Sequence, residues 1–68
     1  MDNNLEAFRT RKGLTQQDLA DRVEVSRQTI ISLERGRYNP SILLAHRLAR
    51  EFGVSIEELF IFDKEEKK

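Results

Sequence analysis

Apolar residues recur along this chain at helical spacing, and the gaps between the repeats hold residues that start and stop helices. Leu5 and Phe8 give an inner face to a first helix from about Asn4 to Lys12, with Gly13 just past its end, where a left-handed C-terminal cap tolerates no Cβ easily. Thr15 with Asp18 three residues later has the form of a capping box, and an acid in the first turn suits the positive end of the helix dipole. Leu19, Ala20 and Val23 form the inner stripe of that second helix. Ser26 caps a third helix, which ends near Arg35, before Gly36. A loop from Arg37 to Pro40 leads to Ser41, the cap of a fourth helix in which Leu44, Leu48 and Phe52 repeat every four residues, flanked by Leu43 and Ala45 and closed by Gly53. Ser55, boxed with Glu58, opens a short fifth helix containing Ile56 and Leu59. No run alternates as a strand does until the last ten residues, so the pattern predicts an all-α, compact five-helix domain with a short extended C-terminal tail.

That tail changes in character. Phe60, Ile61 and Phe62 are consecutive large apolar residues, and neither a helix nor a strand turns all three toward one small core. The three are therefore expected to form a self-association surface, pairing as a short strand with a two-fold mate. The domain is expected to span residues 1–62, and residues 63–68 are too charged to bury and are expected to be a disordered tail.

The third helix carries more than a core stripe. With each residue rotating by about 100°, Arg27, Gln28, Ile31, Ser32 and Arg35 fall within an arc of roughly 140°. The remaining arc holds Thr29, Ile30, Leu33 and Glu34 and is apolar apart from Thr29 and Glu34. One side is built for a core; the other offers two guanidiniums, an amide and a hydroxyl, the groups that read base edges and grip phosphates.

Composition narrows the alternatives. At 68 residues the chain forms one domain, and a chain of this size buries only about 60% of its unfolded surface. The absence of cysteine removes disulfides, thiolate metal sites and thiol nucleophiles. No apolar run approaches the roughly 20 residues of a membrane span and no signal-peptide pattern opens the chain, so a soluble, cytoplasmic protein with no membrane partner is expected. His46, the single histidine, sits mid-helix without a second metal ligand or a nucleophile in view, and no glycine-rich phosphate loop is present. No enzyme activity, cofactor or metal is expected. The formal net charge is zero, yet residues 1–50 carry an excess of +3 and residues 51–68 an excess of −3. The positive field lies with the second and third helices, where a polyanion would meet it.

Arg9, LTQQDLA from Leu14, VSRQTI from Val25, LERGRYNP from Leu33 and GVSIEELF from Gly53 together resemble the Cro/repressor-type helix-turn-helix proteins over roughly residues 5–60. The resemblance implies a lambda-repressor-like fold and a sequence-specific regulator of transcription that binds double-stranded DNA. It implies base contacts from Arg27, Gln28 and Ser32; Ile31, on the same arc, is expected to meet a thymine methyl. It implies phosphate contacts from Gln16 and a backbone-gripping region of Arg37, Tyr38 and Asn39 with the N-terminus of the fourth helix at Ser41 and Ile42, and Arg35 is expected to join them. Arg9 and Glu34 match an ion pair that ties the first helix to the third in relatives. Repression of a palindromic operator as a homodimer is the expected mode, because a repressor needs only to occupy a promoter. The alternative is an antitoxin or an adaptor that holds another protein, and a sequestering protein partner would supply the regulation for which no sensor segment is seen. One residue departs from the family pattern. Glu24 stands in the turn where glycine is usual, and a left-handed backbone there costs a side chain about 1 to 2 kcal/mol.

Overall fold

Helix N-termini leave backbone N–H groups without partners, and the sequence supplies a side-chain acceptor at nearly every one. In the computed structural model, which describes residues 2–61, the helices are α1 (Leu5–Arg11), α2 (Gln16–Val23), α3 (Arg27–Glu34), α4 (Ile42–Phe52) and α5 (Ile56–Leu59). Thr15 and Asp18 close the expected capping box on α2, with the Asp18 amide donating to the Thr15 hydroxyl at 2.9 Å and the Thr15 amide to the Asp18 carboxylate at 3.0 Å. That backbone hydrogen bond, with the Thr15 hydroxyl, holds the Asp18 carboxyl below its ordinary pKa. Ser55 and Glu58 form the second box, and Ser26 and Ser41 accept from the amides of Thr29 and Leu44. The start of α1 differs: Asn4 occupies the cap position without using its side chain on α1, and Asn3 accepts from the Leu5 amide instead.

The apolar stripes converge on one core. Leu5, Leu19, Ile30, Leu33, Leu48 and Leu59 are fully buried, one or two from each helix, and Phe8 and Phe52 pack partly buried beside them. Leu43, expected to flank the α4 stripe, is instead 57% exposed, and Ile42 beside it is 86% exposed.

The two ends of the described chain close the core together. Asn3 and Phe60 form an isolated antiparallel bridge, with the Asn4 amide donating to the Leu59 carbonyl and the Ile61 amide to the Asp2 carbonyl. The extended backbone expected after α5 is present here. It corrects the reading of the aromatic cluster, because Phe60 is 1% exposed and packs into the core of its own chain. Period-two alternation explains the outcome: pairing with Asn3 turns Phe60 inward and leaves Ile61 only partly buried. Phe62 and the charged tail lie outside the described residues.

The turn between α2 and α3 is left-handed at Glu24, with φ 64° and ψ 44°. Glu24 is the one non-glycine residue of positive φ among the described residues, and its side chain recovers only a surface hydrogen bond, accepting from Arg47 at 3.2 Å while 73% exposed. An exposed pair of that kind contributes little, so the backbone conformation dominates. Glu24→Gly is expected to raise stability by about 1 kcal/mol, or about 4–8 °C in melting temperature for a domain of this size. Glu24→Ala, which keeps the strain and loses the Arg47 contact, should bring no gain; equal melting temperatures for the Gly and Ala variants would show that the left-handed turn is not the source.

Candidate nucleic-acid interface

The capping residues decide which way the polar arc of α3 faces. Ser26 starts α3 immediately after the Glu24 turn, so Ile30 and Leu33 enter the core and Arg27, Gln28 and Arg35 are left exposed, with Ile31 and Ser32 half-buried between them. The structure thus brings all five residues of the arc to one outward face.

Two cavities flank that face and differ in chemistry. On the α1 side, a cavity of about 400 Å³ is lined by Glu6, Gln16, Arg27, Ile31, Glu34 and Arg35. Arg27, Ile31 and Arg35 succeed one another at four-residue spacing and make a charged edge with Gln16, the first residue of α2. On the other side, a cavity of about 270 Å³ is lined by Ser26, Gln28, Thr29, Ser32 and Tyr38, all neutral. Thr29 therefore corrects its angular assignment to the inner arc: it is half-buried, its hydroxyl shares a 3.0 Å hydrogen bond with that of Ser26, and it borders the outward face. Arg37, Tyr38, Asn39 and Ser41 follow as an exposed run, although the Ser41 hydroxyl is already engaged by the Leu44 amide.

Behind the charged edge lies the ion pair. Arg9 Nε donates to Glu34 at 2.6 Å and Nη2 at 3.3 Å, with side chains 11% and 6% exposed. Arg9 Nη1 donates to the Leu14 carbonyl at 2.9 Å, and Gln16 Nε2 donates to Glu34 Oε1 at 3.1 Å. Gln16 is therefore not a free surface amide. Sequence reasoning also missed Glu6, because the spacing within α1 does not reveal how that helix crosses α3; the charge itself, on an outward position, was the only signal.

A second basic group lies elsewhere, where Arg22, Arg47 and Arg50 meet Glu24 and Glu51 around a cavity of about 350 Å³. Burial pushes the Glu51 carboxyl up, but hydrogen bonds from Lys12 and Arg22 outweigh it and leave the group below its ordinary value. His46 is exposed on α4, and among the described residues no cluster of metal-ligating side chains occurs and no helix is long and apolar enough to cross a membrane.

The same geometry recurs in known proteins. The helix-turn-helix family model matches residues 5–59. An HTH-type transcriptional regulator of Archaeoglobus fulgidus is 52% identical over 66 residues, covering 97% of this chain and 94% of the relative. Among solved structures, the restriction-modification controller protein C.AhdI from Aeromonas hydrophila superposes with a TM-score of 0.74 at 36% identity, over 82% of this chain and 85% of that one. The SinR protein in its complex with SinI gives a TM-score of 0.76 at 26% identity, over 94% of this chain and 63% of that one. With a lambda-repressor-like fold and the arc of α3 turned outward, the chain belongs to the helix-turn-helix family of DNA-binding transcriptional regulators and is not an enzyme.

Proposed function

We propose that the protein is a cytoplasmic repressor that binds a palindromic operator as a homodimer, with α3 in the major groove. The observation that carries this reading is the outward arc of α3, where Arg27 and Gln28 are exposed and Ile31 and Ser32 half-buried between two open cavities. Arg27 suits guanine and Gln28 suits adenine, each through paired hydrogen bonds to the base edge, with Ser32 beside them. Arg35 at the end of the arc and Gln16, Arg37, Tyr38, Asn39 and Ser41 around it act on phosphates, setting register without carrying sequence information. A single helix contacts few base pairs, and two copies about 34 Å apart on one DNA face supply the rest.

Self-association is assigned to Ile61 and Phe62 of the cluster. A groove of about 190 Å³ lined by Pro40, Ile42, Ala45, Ile56 and Phe60, with Asn39 and Ser41 at its polar edge, adds an apolar surface on the same chain, and the 86% exposure of Ile42 supports its use. The alternative, an antitoxin or adaptor, and a sequestering protein partner both find support in the SinR relative, which is solved in complex with SinI. DNA binding is favoured because an adaptor gives no reason to hold Arg27, Gln28, Ser32 and Arg35 on one outward face.

Sequences selected from a random DNA pool test the assignment. Arg27→Ala should lose about 1 to 3 kcal/mol on the preferred site and relax choice at one base pair. Arg37→Ala should weaken all sequences alike and lower the salt slope by about one phosphate's worth. An unchanged set of selected sequences for Arg27→Ala would remove it from base reading.

Ile31 gives a separate check, since it lies between Arg27 and Arg35 on the charged edge. Replacing the facing thymine by uracil should weaken the native protein and leave Ile31→Ser unaffected; equal losses in both dispose of the methyl contact. For the dimer, Ile61→Lys should sediment as a folded monomer with operator affinity sharply reduced, whereas native sedimentation would move the interface elsewhere.

A further inference from the structure

We infer that Glu34 is a positioning residue for phosphate recognition, its nearly buried carboxylate holding the Gln16 side chain in the attitude in which that amide meets the DNA backbone; this rests on the phosphate role of Gln16 given above. A carboxylate only accepts hydrogen bonds, so the nitrogen of the Gln16 amide, not its oxygen, must face Glu34, as the 3.1 Å contact has it. One N–H and the carbonyl oxygen of Gln16 then remain for the cavity that Arg27 and Arg35 also line. A glutamine on its own samples many rotamers, and ordering it on binding costs entropy that this hydrogen bond removes beforehand.

Glu34 can do this because it is itself held. Arg9 grips it through Nε and Nη2 and uses Nη1 on the Leu14 carbonyl, two residues before Gln16. The backbone entering α2 and the first side chain of α2 are thus fastened to one pair. Arg9 also cancels the charge of a carboxylate that would otherwise repel a phosphate entering the cavity. The pair links the α1–α3 contact to the grip on DNA, a role beyond holding helices together.

The test uses the full chain and its selected operator, with single phosphates replaced in turn by neutral methylphosphonates. In the native protein, one position per half-site should lose about tenfold or more in affinity on replacement, and Gln16→Ala should abolish that sensitivity at a similar loss. The variant Arg9→Met with Glu34→Met exchanges the pair for apolar side chains of similar length, a change that commonly preserves folding. It should be insensitive at the same phosphate, select the same bases, and lose less than about twofold on adding Gln16→Ala. If that variant does not fold, Glu34→Asp, which keeps the charge by Arg9 but withdraws it from Gln16 by one methylene, should give the same result. A Gln16→Ala loss as large in either background as in the native protein overturns the positioning role. No loss from Gln16→Ala in the native protein overturns the phosphate reading itself.

Discussion

The contact between Arg9 and Glu34 is the constraint on which the rest of this small structure depends. It crosses from α1 to α3 with both side chains almost out of water, so each charge relies on the other for what the solvent no longer provides. The geometry meets the strict condition for such a pair. Two guanidinium nitrogens reach the carboxylate, a third reaches the Leu14 carbonyl, and the Gln16 amide donates to the carboxylate as well. No buried side-chain nitrogen or oxygen lacks a partner among the described residues. Replacing only one member would strand a charge, whereas replacing both by apolar residues removes the demand, so the pair binds its two members to each other more than it adds to net stability.

Much of this architecture is legible in the sequence because its signals are local. Capping boxes at Thr15 and Ser55, caps at Ser26 and Ser41, and glycines after α1, α3 and α4 each specify a backbone conformation within a few residues, and each occurs where its type requires. Glu24 is the informative exception. Its side chain argues against a left-handed turn, yet the packing of α2 against α3 requires one, and tertiary contacts overrule the local preference. What the sequence did not disclose depends on distant segments meeting. The inward turn of Phe60 comes from its bridge to Asn3, more than fifty residues away. The capture of Gln16 by Glu34 and the approach of Glu6 to the charged edge follow from helix crossings that no periodicity encodes.

On the reading proposed for α3, that helix also shows how a chain of zero net charge can face a polyanion. Its outward surface is not uniformly basic but divided, with guanidiniums on the α1 side and neutral hydroxyl and amide groups on the Tyr38 side. Long-range attraction depends on the field at that surface, and Glu34 subtracts little from it because Arg9 neutralises it. Glu6 does subtract, standing exposed beside Arg27 and Arg35. A modest local excess of positive charge limits the sequence-independent part of DNA affinity, which scales with the phosphates neutralised. On the reading proposed for α3, discrimination then depends on hydrogen bonds from Gln28, Ser32 and Arg27, which are effective only when the helix is held at a fixed angle in the groove. The angle is set by the left-handed Glu24 turn ahead of α3 and by the burial of Ile30 and Leu33 in the core. Specificity and the interior packing of this domain are for that reason one physical problem, solved by the residues that join α1, α2 and α3.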